Sequence, residues 1–249
     1  MKRLLSFLFA ALLLPSAFAD TLTVAVAANV QYTFDELQQE FKKETGHDIR
    51  PIYSASGKFA TQIMNGAPFD VFLSADMEFP QKLYQKGFTT DAPRVYTYGT
   101  LVLWTMRDTD LTKWQSVLTA PSTKHIAIAN PQTAPYGREA YRALTHFKLW
   151  DSVQPKIVTG ESISQTNQYI HSKSADIGFT AKSVVLSPEM KGQGKWIDVP
   201  PASYQPIAQG VVIIKRKEGG NPKLSQQFYD FLFSAKARAI FERYGYALP

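Results

Sequence analysis

Apolar and polar positions along the chain switch between two spacings. Residues 22–26 form a near-continuous apolar run, as a strand buried on both faces of a parallel sheet requires. Phe34, Leu37 and Phe41 then recur at helical spacing. Gln38, Gln39, Lys42 and Lys43 take the other side, and Gly46 is placed to stop the helix. Residues 49–53 predict a second strand. Phe59, Ile63 and Met64 predict a second helix, ended by Asn65, Gly66 and Pro68, and 70–74 a third strand. One more helix is expected over 77–95, with Phe79, Leu83 and Tyr84 inward and Gly87 closing it.

Strand, helix, strand, helix, strand is the order of a parallel sheet with right-handed crossovers. The order then repeats. A strand over 126–129 leads to a helix over about 138–149, with Ala140, Leu144 and Phe147 on one face. A strand over 157–159, a helix carrying Ile163, Asn167 and Ile170, and a strand over 176–180 complete the second unit. Residues 95–105 read as an extended crossing interrupted by Gly99. Residues 182–206 read as a polar connection, 210–214 as a returning strand, and 222–233 and 236–244 as closing helices. The prediction is an α/β protein of two lobes, each a mostly parallel sheet flanked by helices. Lobe 1 takes 20–99 plus 210–249 and lobe 2 takes 100–209, with the ligand in the cleft between them.

The first 19 residues change the picture of where the chain works. Lys2 and Arg3 precede an apolar run over 4–14, Pro15 breaks it, and Ala17-Phe18-Ala19 has the spacing of a signal-peptidase site. Cleavage after Ala19 and export to the periplasm are expected. Two of the six net positive charges belong to this leader. The remaining basic residues are scattered, with no stripe of cations interleaved with aromatics, which argues against nucleic acid as a partner. The absence of cysteine removes thiolate metal sites and thiol nucleophiles.

The candidate chemistry lies in four strand-to-helix turns: Ala27-Ala28-Asn29, Ser54-Ala55-Ser56-Gly57, Ala134-Pro135-Tyr136-Gly137 and Gly160-Glu161-Ser162-Ile163. Parallel sheets place such turns at the carboxyl ends of their strands, where ligands bind. Each helix start offers N–H groups without intrahelical partners, a site for a small anion. Asn29, Ser56 and Tyr136 add neutral side-chain donors. One such turn alone reads as a helix cap with Ser56 as N-cap. Four in matching positions read as an anion cage. Lys58 and Arg138 each follow a turn, and their two readings are an ion pair with the ligand or a solvent-facing position. Glu161 is expected to point away from an anion and pair elsewhere.

Other constellations are weaker. His47, His125, His146 and His171 are widely spaced and support neither a metal site nor a triad. Tyr244 and Tyr246 read as core aromatics, with ferric-ion ligands as the alternative. Asp70 and Asp76 flank a strand, and a secreted hydrolase using them is a further alternative, although no nucleophile accompanies them.

The mature chain resembles the periplasmic molybdate-binding proteins of bacterial ABC importers. The resemblance spans nearly all of 20–249. It is carried by Val26-Ala27-Ala28-Asn29, Asn65-Gly66-Ala67-Pro68, Ser74-Ala75-Asp76, Ala129-Asn130-Pro131 through Tyr136-Gly137, Thr159-Gly160-Glu161-Ser162-Ile163, and Phe241-Glu242-Arg243-Tyr244-Gly245. It implies the type II periplasmic-binding-protein fold and a non-enzymatic carrier of molybdate, and of tungstate, that docks on a membrane permease. It further implies a monomer without cofactor or directly bound metal cation. Another small oxyanion, such as sulfate or phosphate, is the same-class alternative. Carried over by motif, Ala28, Asn29, Ser56, Tyr136 and Ile163 are the ligand-binding residues. Some members place a tyrosine shortly after the strand of Gly178-Phe179, where this chain has Ala181. Tyr136 is expected to supply that hydroxyl instead.

Overall fold

The structure is a computed structural model that describes residues 21–216 and 218–249. The leader and its cleavage point lie outside the described residues. Among the described residues, ten strands fall into two five-stranded sheets. The first half of lobe 1 runs β1 (Leu22–Ala27), α1 (Gln31–Thr45), β2 (Ile49–Ser54), α2 (Ser56–Met64), β3 (Val71–Leu73), α3 (Glu78–Gln85) and β4 (Arg94–Gly99). Lobe 2 runs β5 (Leu101–Thr105), α4 (Trp114–Thr119), β6 (Ile126–Ala129), α5 (Pro135–His146), α6 (Trp150–Val153), β7 (Ile157–Gly160), α7 (Ile163–His171), β8 (Ile177–Ala181), α8 (Lys182–Val185) and β9 (Lys195–Asp198). The chain returns to the first sheet with β10 (Ile207–Ile213), then packs α9 (Pro222–Phe231) and α10 (Ala235–Arg243).

The sheets share one plan. Their orders are β2-β1-β3-β10-β4 and β7-β6-β8-β5-β9. The first three strands of each are parallel; the fourth is antiparallel to both neighbours. Register aligns the strand ends that matter. Ala27 pairs with Ser54 and Ala129 with Gly160, so adjacent turns leave each sheet side by side.

Several local expectations need correction. Helix α5 begins at Pro135, before the expected 138, because proline is well suited to a first helical position where its missing N–H is no loss. Tyr136 therefore sits on a helix, not in a loop. In α3 Leu83 is buried and Phe79 packs partly against the core as expected, Pro80 joins them, and Tyr84 is 41% exposed instead. The stretch read as a polar connection contains β9, which pairs with β5 at the sheet edge. The returning strand starts at Ile207 rather than 210.

Lobe 1 packs an apolar core on each face of its sheet. One lies under α1, α9 and α10, where Phe34, Phe41 and Phe228 meet edge to face. The other lies under α2 and α3, around Phe59 and Phe72. The core of lobe 2 crosses the cleft: Ala27, Ala28, Ala55 and Ala75 of lobe 1 join the cluster that holds Tyr136 and Ile163. Small side chains let the two lobes meet at backbone distance.

Candidate functional site

The four turns surround one small cavity, lined by Ala27, Ala28, Asn29, Ser54, Ala55, Ser56, Ala75, Ala134, Pro135, Tyr136 and Ile163. All five residues singled out in the sequence line it. Ala75, in the turn after β3, is a further wall that the sequence reading missed, although Ser74-Ala75-Asp76 was already in view. No lining side chain carries a formal charge.

The helix starts around the cavity share a second property. Ala27 precedes a short 3-10 turn over Ala28–Val30 that runs into α1, and Ala55, Ala134 and Ser162 are the N-caps of α2, α5 and α7; none makes a side-chain capping hydrogen bond. The same holds for α3, α4, α6 and α8, whereas α9 and α10 are capped: Asn221 accepts from the Leu224 N–H and Ser234 from the Ala237 N–H. The Ser56 cap reading is thereby excluded, since Ala55 holds the cap position and Ser56 is the first helical residue.

Ser56 is fully buried, and its Oγ accepts from the Ala75 N–H at 3.0 Å. Accepting there leaves its own proton to donate into the cavity. The Tyr136 hydroxyl is buried with no hydrogen-bond partner. Burial holds its pKa well above the usual phenol value, and Tyr246, Tyr96 and Tyr204 add to the effect; the Asn29 amide opposes it without meeting hydrogen-bond geometry. It is a neutral donor at any ordinary pH, and a buried unmatched donor calls for a partner. Its ring packs against the crossing between lobes, where a Cβ on Gly99 would lie 2.0 Å from the hydroxyl oxygen. Ala181 is buried in the β5–β8 pairing and does not line the cavity.

Asn29 differs from its expected role. Its Nδ2 donates to Gln209 Oε1 at 2.7 Å and to the Tyr246 hydroxyl at 3.3 Å. Its backbone carbonyl accepts from the Tyr246 hydroxyl at 3.0 Å and from the Ser183 hydroxyl at 2.8 Å. The carboxamide N–H groups are thus engaged behind the cavity wall, which leaves the backbone N–H as the group Asn29 can offer. Gln209, wholly buried, also takes the Tyr96 hydroxyl at 3.4 Å and donates to Thr97 at 3.1 Å, so it ties Asn29 to both β10 and β4. Nothing in the local sequence around Gln209 signals this.

The lobes meet along a polar seam. The Gly57 N–H donates to the Thr133 carbonyl at 2.9 Å, an approach that a Cβ on Gly57, 3.0 Å from the Thr133 Cα, would disturb. Ser164 donates to Gln31 at 2.7 Å. Lys58 pairs with Glu161 at 2.6 Å, and Arg138 with Asp76 at 2.6 Å and Glu78 at 2.9 Å. Neither cation pairs with the cavity: Lys58 stays partly exposed, as the solvent-facing reading expects, while Arg138 is mostly covered, and both reach the opposite lobe. Burial raises the Asp76 carboxyl above its usual value although Arg138 pulls it down.

The hydrolase reading loses its residues. Asp70 accepts from the Thr23 N–H at 2.8 Å and from Arg216 at 2.8 Å before β3, while Asp76 accepts from Ser74, Phe79 and Arg138 beyond it. The two carboxylates stand at opposite ends of one strand, each in a structural role. Tyr246 is committed to Asn29, and its pKa is pushed up to about 12 by burial. Among the described residues, no group of three or more His, Asp or Glu side chains could hold a metal ion.

A cleft closed between two like α/β lobes, with helix starts and two buried hydroxyls at its centre, is the architecture of a solute-binding protein. The chain belongs to the bacterial extracellular solute-binding proteins, whose sequence profile matches residues 22–247. It is 37% identical over 249 residues to the molybdate-binding protein ModA of Azotobacter vinelandii, covering 100% of this chain and 98% of that one. It is 30% identical to a putative ABC transporter substrate-binding lipoprotein of Bacillus subtilis, covering 91% and 86%. The solved structure of the Azotobacter vinelandii periplasmic molybdate-binding protein superposes with a TM-score of 0.86 at 36% identity, covering 92% of this chain and 99% of that one.

Proposed function

We propose that the protein captures molybdate in the periplasm, and tungstate with it, and delivers the anion to the membrane permease of an ABC importer. The observation that supports this reading most is the set of four uncapped helix starts around a cavity with no charged wall. A helix N-terminus carries roughly half a positive charge, so four of them offer about two, the complement of a dianion. The anion-holding groups in this reading are the backbone N–H groups of Ala28, Asn29, Tyr136 and Ile163 with the hydroxyls of Ser56 and Tyr136. Each hydrogen bond to a charged acceptor contributes about 1.5–3 kcal/mol. Sulfate has the same charge and shape but is smaller, and reaches fewer donors at once. The chain works as a monomer, released from its leader after Ala19.

Thermal unfolding with and without anions tests this. Binding to the folded state alone stabilises by about 2.7 kcal/mol when ligand exceeds Kd a hundredfold. Molybdate and tungstate should raise the melting temperature strongly and sulfate little. An equal rise with sulfate would remove the molybdate assignment.

A further inference from the structure

The two cations beside the cavity are placed reciprocally. Lys58 follows Ser56-Gly57 on α2 of lobe 1, and Arg138 follows Tyr136-Gly137 on α5 of lobe 2. Each stands two residues past the hydroxyl its own lobe aims at the cavity. Each reaches across the cleft to an acid beside the other lobe's wall: Lys58 to Glu161, near Ile163, and Arg138 to Asp76, next to Ala75. Neither cation lines the cavity.

We infer that Arg138 and Lys58 are positioning residues that clamp the lobes over the bound anion and set its residence time without touching it. The two clamps are unequal. Lys58 and Glu161 leave 40% and 72% of their side chains exposed, and exposed pairs contribute little. Arg138 and Asp76 leave 22% and 10%, and Arg138 engages Glu78 as well. Breaking a largely desolvated pair costs more because it strands the remaining charge. The weight of the clamp lies on Arg138. The inference rests on the anion-carrier reading and adds what governs release.

Retention of radiolabelled molybdate after rapid dilution tests it, with association measured alongside. Arg138→Gln should raise the release rate about tenfold, the equivalent of roughly 1.4 kcal/mol, and leave association within about threefold. Asp76→Asn should act in the same direction, and the double variant should be no worse than Arg138→Gln alone, the mark of a coupled pair. Glu78→Gln, at an exposed acid, should give a smaller rise with the fold untouched. The swap Lys58→Glu with Glu161→Lys should restore release to the wild-type rate after either single change has raised it. Unchanged release in Arg138→Gln, or effects of Arg138 and Asp76 that multiply independently, would overturn the clamp. Wild-type retention of sulfate but not molybdate would overturn the ligand assignment instead, with the clamp then read from the same variants on sulfate. Retention of neither would overturn both.

Discussion

The cavity wall and the seam that encloses it are built from opposite materials. The wall has hydroxyls, alanines and backbone N–H groups, and no formal charge. The seam, one to three residues away along the chain, carries Lys58, Glu161, Arg138, Asp76 and Glu78, all paired across the cleft. A cation in the wall would reward any anion that entered. Neutral donors fixed by helix ends reward the anion whose oxygens reach them all, because an unmatched buried donor costs about 1–3 kcal/mol. Full charges are kept for joining the lobes, where strength matters and selectivity does not.

The contrast can be broken most severely by placing a charge in the wall. Ser56→Asp should weaken molybdate binding by more than about a hundredfold in calorimetry, since like charges repel strongly away from water. Retained affinity would show that neutrality of the wall is unimportant. Tyr136→Phe should cost about 1.5–3 kcal/mol of binding. Because it removes a buried hydroxyl that has no partner within the protein, the ligand-free melting temperature should hold or rise. Unchanged affinity would mean that only the Tyr136 backbone takes part. At the seam, Lys58→Ala should cost under about 1 kcal/mol, fading as salt is added. A collapse of binding would place Lys58 in the wall's chemistry after all. The smallest effect concerns pH. The folded-state pKa of Tyr136 is raised, so its hydroxyl is neutral in both states below the unfolded value of about 10. Binding should therefore stay level from about pH 7 to 9. Above about 10 the unfolded chain ionises first and stability falls as pH rises. A loss of affinity with an apparent pKa near 8 would contradict the burial of that hydroxyl.

The strands and turns were legible because burial leaves a local mark. Strands covered on both faces show as apolar runs, and helix starts show as small residues before a periodic pattern. That sufficed to bring the residues lining the cavity to notice. It did not suffice for the direction of side chains. Lys58 and Glu161 are 103 positions apart, and Asn29 and Gln209 are 180 apart, so no spacing rule joins them. The strand β9 was missed because only part of its surface is covered at the sheet edge, which leaves a mixed pattern. Asn29 was identified as a cavity residue, yet its carboxamide is held by a buried glutamine that belongs to the far end of the chain.

That last link bears on how the protein matures. The sheet of lobe 2 is drawn from one unbroken stretch, β5 to β9, whereas lobe 1 lacks β10 until most of the chain has been delivered. Asn29 is seated by Tyr246, 217 positions later and near the C-terminus. Lobe 2 can thus assemble from one continuous segment, while the cage beside Asn29 stays unfinished until Tyr246 is in place. Long-range closure of this kind is slow and comes last. A protein clipped before Tyr246 should bind molybdate more weakly in calorimetry, because it lacks the hydroxyl that holds the Asn29 backbone.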